Sequence, residues 1–280
     1  MTPSACGCRL SLRYAGQLEE SDIHPHVKIS RVWNFSIINL SDLHSLYTFF
    51  LDNRGNLKVP RSKGMPKRIP HSESEVITGE QAVREYSEMQ SRLGRFYLKQ
   101  FLSLLKSQKK TGDFLEIGPG PGYQTVKVAE SFQGARIQAL EPSADMIQIA
   151  RTSMEQRGLS SRVHFFEGSV EDEQIVESLG RFDLIYSSFS LHHWSNPTQA
   201  FHNLYRVLRE QGVILIYDFE RHWLTYHNLP LLRKGISESV RASYTLKEIT
   251  SMIASSKISH FEVRRHFPYL SINIYHNQIG

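Results

Sequence analysis

Phe114-Leu115-Glu116-Ile117-Gly118-Pro119-Gly120-Pro121-Gly122-Tyr123 is the stretch on which the reading of this 280-residue chain turns. It begins as a short apolar strand interrupted by one carboxylate, Glu116. Three glycines at every second position follow, and a helical sequence starts after them. A glycine-rich turn between strand and helix lets the main chain approach a nucleotide-like ligand closely. The spacing narrows the ligand. A dinucleotide fingerprint places glycine at its first, third and sixth positions. Counted from Gly118, the sixth position is Tyr123 and the third glycine falls at the fifth. Glu116 adds a second departure, because a carboxylate two residues before the first glycine would repel a pyrophosphate. S-adenosylmethionine carries an ammonium and a sulfonium and no phosphate, so it suits this turn better than NAD.

Working outward, short apolar segments alternate with helical ones from about Asp113, the pattern of a parallel sheet built from strand-helix-strand units. Strands are expected at residues 114–117, 136–140, 163–166, 182–187 and 213–219, with two more at 261–265 and 270–275. Ser143 reads as a helix N-cap and Gly158 as a helix end; Asn196-Pro197 opens another helix, and Thr245 with Glu248 forms a capping box. Upstream, Val83, Tyr86, Met89, Leu93, Phe96, Tyr97, Phe101 and Leu104 recur every three or four residues, the stripe of one long amphipathic helix. The second expected strand ends in Glu141, 23 residues past Gly118. A carboxylate at that strand tip can accept hydrogen bonds from both hydroxyls of a ribose. The expected fold is α/β: a Rossmann-like, seven-stranded, mostly parallel sheet with helices on both faces, plus an N-terminal extension.

The division expected is an extension over residues 1–75 and a main domain over 76–280. Residues 27–38 are rich in strand formers, Ser41 reads as a helix cap, and 53–56 as a turn, so the extension could hold a small α/β unit. Residues 58–71 combine Lys58, Arg61, Lys63, Lys67 and Arg68 with three prolines and a glycine, the composition of an exposed basic linker. Cys6 and Cys8 are too few for a disulfide framework or a structural zinc site, and His24 and His26 lack a carboxylate or cysteine partner, so no metal is expected. No apolar run reaches the roughly 20 residues of a membrane span, and no signal peptide is evident; the expected location is the cytoplasm. A net charge of +5 and pI near 9.1 make nucleic acid a possible partner without favouring it.

The residues 113–122 resemble motif I of the class I S-adenosylmethionine-dependent methyltransferases. Glu141-Pro142-Ser143-Ala144-Asp145-Met146 resembles their acidic second-strand motif. Phe182-Asp183-Leu184-Ile185-Tyr186-Ser187 with Leu191-His192-His193-Trp194 resembles the fourth-strand region of the ubiquinone and menaquinone biosynthesis subfamily, and Arg206-Val207-Leu208-Arg209 with Gly212 resembles the approach to their fifth strand. The resemblance covers about 80–275 and leaves 1–75 unmatched. It implies S-adenosyl-L-methionine as cofactor, with Gly118, Gly120 and Gly122 along its methionine part and Glu116 beneath its amino group. It further implies Glu141 on the ribose, Pro142 and Met146 near the adenine, and Gly168-Ser169-Val170 at the adenine edge, where many relatives carry an aspartate in place of Ser169. Ser187 would face the methionine moiety and Tyr86 would cover the cofactor.

The reaction so implied is an in-line displacement at the sulfonium methyl, with the protein supplying orientation. His192 and His193 follow the fourth of these strands, where a general base would be useful, and are the candidate catalytic residues. The long aromatic stretch 220–243 reads as a substrate lid or a helix-bearing insertion. A small-molecule methyl acceptor is the first reading. The competing ones are an RNA or protein methyltransferase that uses the basic N-terminal region, a non-catalytic module that binds the cofactor, and, more distantly, a nicotinamide-dependent dehydrogenase. Residue types alone leave the acceptor and the oligomeric state open.

Overall fold

The computed structural model describes residues 28–33, 65–70, 79–222, 226 and 234–276. The cap at Ser41, the turn at 53–56, both cysteines, and His24 and His26 lie outside the described residues. So does most of the stretch 223–233.

The chain runs β1 (Lys28–Trp33), α1 (Glu80–Ser107), β2 (Asp113–Ile117), α2 (Tyr123–Ser131), β3 (Arg136–Glu141), α3 (Ala144–Glu155), β4 (Val163–Glu167), α4 (Glu173–Ser178) and β5 (Phe182–Ser188). A 3-10 turn at Leu191–His193 leads to α5 (Pro197–Arg206), β6 (Leu208–Phe219), α6 (Lys234–Ala242), α7 (Leu246–Ser255), β7 (Phe261–Phe267) and β8 (Tyr269–Tyr275). The strands form one sheet in the order β1-β7-β8-β6-β5-β2-β3-β4. Pairing is parallel from β4 across to β6, and β8 lies antiparallel to both β6 and β7. The seven expected strands are therefore present with a Rossmann-like arrangement. An eighth, β1, pairs in parallel with β7, Lys28 opposite Glu262, so part of the expected extension is built into the sheet itself.

Alternation along each strand sends side chains to two cores. Phe114, Leu184, Tyr186, Leu215 and Tyr217 meet Tyr97, Phe101 and Leu105 of α1 and Val126 and Ile147 of α2 and α3. Leu115, Ile117, Ile185, Ile214 and Ile216 meet Phe201 and Leu204 of α5 and Ile249 and Ile253 of α7. Strands buried on both faces explain the near-continuous apolar runs in the sequence. The caps fall where the residue types place them. Ser143 accepts from the Met146 amide, Asn196 from Gln199, and Thr245 and Glu248 form the reciprocal box. β6 starts five residues before the expected Val213, because Leu208 already pairs with Phe182 across an irregularity in register. No described helix is long and apolar enough to cross a membrane.

The expected basic linker needs a correction at one residue. Within 65–70, Met65 and Ile69 are exposed, but Arg68 is half-buried and its guanidinium donates to the main-chain carbonyls of Ala242 and His192. The proline and glycine content signals irregular backbone correctly and says nothing about where an individual side chain docks.

Chain order reverses between β2 and β5: successive strands step to one side as β3 and β4 and to the other as β5 and β6. Their carboxyl ends part there, leaving the crevice in which doubly wound sheets hold ligands. Phe101 packs beneath that point with its ring 6.2 Å from Tyr186 and 5.9 Å from Tyr217, and it has no solvent exposure. Phe101→Ala should cost about 3–5 kcal/mol of folding stability, measurable by urea denaturation.

Candidate active site

The turn after β2 is set by backbone geometry. Gly118, Gly120 and Gly122 all have positive φ, at 68°, 56° and 83°, where a side chain is strained. Two of them are also places of close approach. A Cβ on Gly118 would lie 2.3 Å from the Ser190 hydroxyl oxygen, and one on Gly122 would lie 2.9 Å from the Ala150 Cβ. The first contact joins the turn after β2 to the loop after β5, across the crevice. Gly120 differs: a Cβ there would meet only the tips of Gln90 and Tyr86, at 3.7 and 4.0 Å. Its open side faces α1, whose Gln90 Nε2 donates to the Tyr86 hydroxyl at 3.2 Å.

Two buried carboxylates flank this turn. Glu141, at the end of β3, accepts from the Gly120 amide at 3.0 Å and from the Ser143 amide at 3.1 Å. Burial raises its pKa and the two amides oppose that rise. Glu116, in β2, is 3% exposed and accepts from the Tyr186 hydroxyl at 3.1 Å. Burial pushes its pKa up to about 7, against the hydroxyls of Thr125 and Tyr186 and with a further push from the Glu141 charge. The Thr125 hydroxyl sits beside it without the geometry of a proper hydrogen bond, and its Oγ1 is among the buried polar atoms with no partner; Gln90 Oε1 is another. Buried acceptors without donors are costly. These two lie at the Glu116 and Gly120 sides of the turn, where a ligand bearing ammonium or hydroxyl donors would satisfy them. The residues present therefore fit a small cationic, ribose-bearing ligand.

The other expected cofactor residues have mixed placements. Gly168 donates its amide to the Glu141 carbonyl at 3.1 Å, which brings the end of β4 to the same edge. The Ser169 hydroxyl accepts from the Glu171 amide. Val170 is buried in the core with Ile117 and Leu140, so its side chain serves packing. Met146 is buried and Pro142 exposed. Ser187 has no exposure and its hydroxyl donates to the Ile117 carbonyl at 2.9 Å, tying β5 to β2 directly below the glycine turn. Burial raises the pKa of Tyr86 most, with the Glu141 charge adding to it and Gln90 opposing.

The two histidines separate. His193 is exposed, its ring 4.3 Å from that of His192. His192 is 2% exposed and forms a pair that the sequence reading missed. Its Nδ1 lies 2.7 and 3.0 Å from the two carboxylate oxygens of Asp218, and its amide donates to Asp218 Oδ2 at 3.1 Å. A carboxylate facing Nδ1 calls for a hydrogen on that ring nitrogen. Asp218 ends the apolar run of β6, as Glu141 ends that of β3, so the same signal, a carboxylate at a strand tip, could have found it. Gln90, Thr125 and Arg68 carried no such signal. Beside the pair, Phe189 holds a positive φ of 53° and its ring meets Tyr97, Tyr217, Phe219 and Tyr269 within 4.5–5.7 Å. Among the described residues no group of three or more His, Cys, Asp or Glu is placed to hold a metal.

Residues 114–212 match the family model described as a methyltransferase domain. The tRNA 5-carboxymethoxyuridine methyltransferase of Escherichia coli (strain K12) is 29% identical over 116 residues, 41% of this chain and 43% of that protein. The ubiquinone/menaquinone biosynthesis C-methyltransferase of Pectobacterium atrosepticum is 20% identical over 165 residues, 55% of this chain and 65% of that one. The chain thus spans less than two thirds of the length of either relative. An O-methyltransferase family protein from Burkholderia thailandensis superposes with a TM-score of 0.59 at 14% identity, over 71% of this chain and 61% of its own. The plantazolicin methyltransferase BamL, solved with a triazolic desmethylPZN analog and SAH, gives 0.56 at 18% identity, over 70% of this chain and 91% of its own. The fold is that of the Rossmann-like class I methyltransferases.

Glu116 makes the ligand-free protein sensitive to pH. Its folded pKa of about 7 lies above the ordinary 4.5, so the fold favours the neutral acid. That stability is complete below about pH 4.5 and is lost as pH rises through 7, a difference on the order of 3 kcal/mol. The melting temperature of the ligand-free protein should fall between pH 5 and 8 more steeply than that of Glu116→Gln.

Proposed function

We propose that this chain transfers a methyl group from S-adenosyl-L-methionine to a small-molecule acceptor, with His192 as general base and Asp218 as the residue that orients it. What supports the reading is that the glycine turn, its two carboxylates and the His192–Asp218 pair all lie toward the carboxyl ends of β2, β3, β5 and β6, with Gly118 packed against Ser190 two residues before His192. When bound, the cofactor supplies a methyl group on a sulfonium, activated for displacement.

Each residue has a defined task in that reading. Glu141 keeps lone pairs beyond the two used by the Gly120 and Ser143 amides, and these accept the ribose hydroxyls. Glu116, ionised, neutralises the amino group of the methionine moiety, and Thr125 Oγ1 and Gln90 Oε1 accept from donors along the same edge. Gly120 leaves the space in which the main chain approaches the ligand. On the other side of the crevice, His192 takes up at Nε2 the proton that the acceptor gives up as its new bond to carbon forms. Asp218 fixes the tautomer and stabilises the imidazolium that results. Phe189 and the aromatic rings around it supply an apolar wall, which keeps water from competing for the methyl group.

Calorimetric titration tests the cofactor half. S-adenosylmethionine and SAH should bind, NAD should not, and Glu141→Ala should weaken the adenosyl ligands by roughly 10–100-fold, the worth of hydrogen bonds to a charged group. Preferential binding of NAD would sink the reading. Near pH 6.5, binding should release a proton from Glu116, seen as a heat that varies with buffer and disappears in Glu116→Gln. The acceptor half predicts that His192→Ala and Asp218→Asn lower kcat about 10²–10⁴-fold with cofactor affinity unchanged, measured by transfer of labelled methyl into a small-molecule fraction.

A further inference from the structure

Segment 65–70 lies outside the residues matched by the methyltransferase family model, yet it reaches the candidate base. α6 ends at Ala242, and the last carbonyls of any helix lack partners within it. The Ile69 amide donates to the Arg241 carbonyl at 3.1 Å, and Arg68 Nε donates to the Ala242 carbonyl at 2.6 Å. The second arm of the same guanidinium, Nη2, donates to the main-chain carbonyl of His192 at 3.1 Å. Its Cζ lies over the ring of Tyr244, 4.1 Å from the centroid. The segment is held on its other side too. Arg221, 2% exposed, donates to the Pro66 carbonyl and to the Ser243 carbonyl at 3.0 Å, and pairs with Glu248.

We infer that Arg68 is a positioning residue for the His192–Asp218 pair. His192 is fixed by Asp218 at its amide and ring, and by Arg68 at its carbonyl. With both ends of the residue held, the imidazole has one orientation toward the acceptor; with the carbonyl released, the turn at Leu191–His193 can rotate and Nδ1 leaves Asp218. A guanidinium suits this task because its planar fork directs two donors to separate carbonyls while its charge lies over an aromatic ring. The same residue completes the end of α6, so it couples that helix to the turn that carries the base. The inference rests on the reading of His192 as the base.

The test needs no acceptor. In the full chain labelled with ¹⁵N-histidine, the Nδ1–H of His192, bonded to a buried carboxylate, gives a protected downfield proton resonance that is assigned by its loss in His192→Gln. Arg68→Ala should shift that resonance or lose it to faster exchange, while SAH affinity by calorimetry stays at the wild-type value. Arg68→Lys, which keeps the charge and loses the fork, should shift it less. An unchanged His192 resonance in Arg68→Ala overturns the inference. If Arg68→Ala does not fold, Arg68→Lys decides alone: a shifted resonance supports the role and an unchanged one refutes it. Failure of the wild type to bind SAH would refute the methyltransferase reading separately, since the histidine signal reports on Arg68 in either case.

Discussion

The carboxylate of Glu141 holds the site together. It sits at the tip of β3, nearly out of reach of water, and bonds the amides of Gly120 and Ser143. One bond fastens the middle of the glycine turn to the neighbouring strand; the other fixes the entry to α3. A turn whose three glycines all lie in the left-handed region has little conformational preference of its own, so its shape depends on such external anchors. The Gly118 amide adds another, donating to the Leu140 carbonyl at 2.9 Å. Everything placed relative to that turn, including Glu116 below it and Ser190 across from it, inherits its position from the end of β3.

Two buried acids on either side of the crevice are treated differently. Asp218 accepts from the His192 ring and amide and from the Phe219 amide, a full set of donors that makes it a rigid support. Glu116 receives one hydroxyl from Tyr186, and burial drives its pKa to about 7. The first arrangement suits a residue that orients a neighbour. The second suits a residue whose charge state changes when a cationic ligand arrives. Both acids are penultimate in their strands, so the difference lies in what faces them: the 3-10 turn after β5 brings the His192 amide and ring to Asp218, whereas Glu116 meets the hydroxyl of Tyr186 on the neighbouring strand.

Most of the sheet could be read from the sequence because strands buried on both faces leave uninterrupted apolar runs, and the helices between them carry local caps such as Ser143, Asn196 and Thr245. The cofactor edge could be read because Gly118 to Gly122 and Glu141 are fixed by spacing within one strand-helix-strand unit. The acceptor side could be read only in part. His192 was visible by its place after β5, but its partner Asp218 is 26 residues away, and pairing at that separation depends on the parallel register of β5 and β6. His193, next in the chain, is exposed, with its ring against that of the buried His192. Arg68 was hidden for another reason. A basic, proline-containing stretch has the composition of a solvated linker whether or not one of its side chains finds carbonyls more than a hundred residues away. Val170, in the turn after β4, was expected at the adenine edge, and its side chain is buried against Ile117 and Leu140.

The order of the strands in the sheet differs from their order of synthesis in one place that matters. β8 lies between β6 and β7, and β1 touches the sheet only through β7. Of the eight described strands, β8 comes last in sequence and is also the one that links the β1–β7 pair to the other five. Until residues 269–275 take their place, the β1–β7 pair has no strand linking it to the other five, and one edge of β6 stands open. A sheet lacking β8 exposes an unpaired strand edge of the kind that recruits other chains, so this one antiparallel strand both joins the two parts of the sheet and closes off that edge.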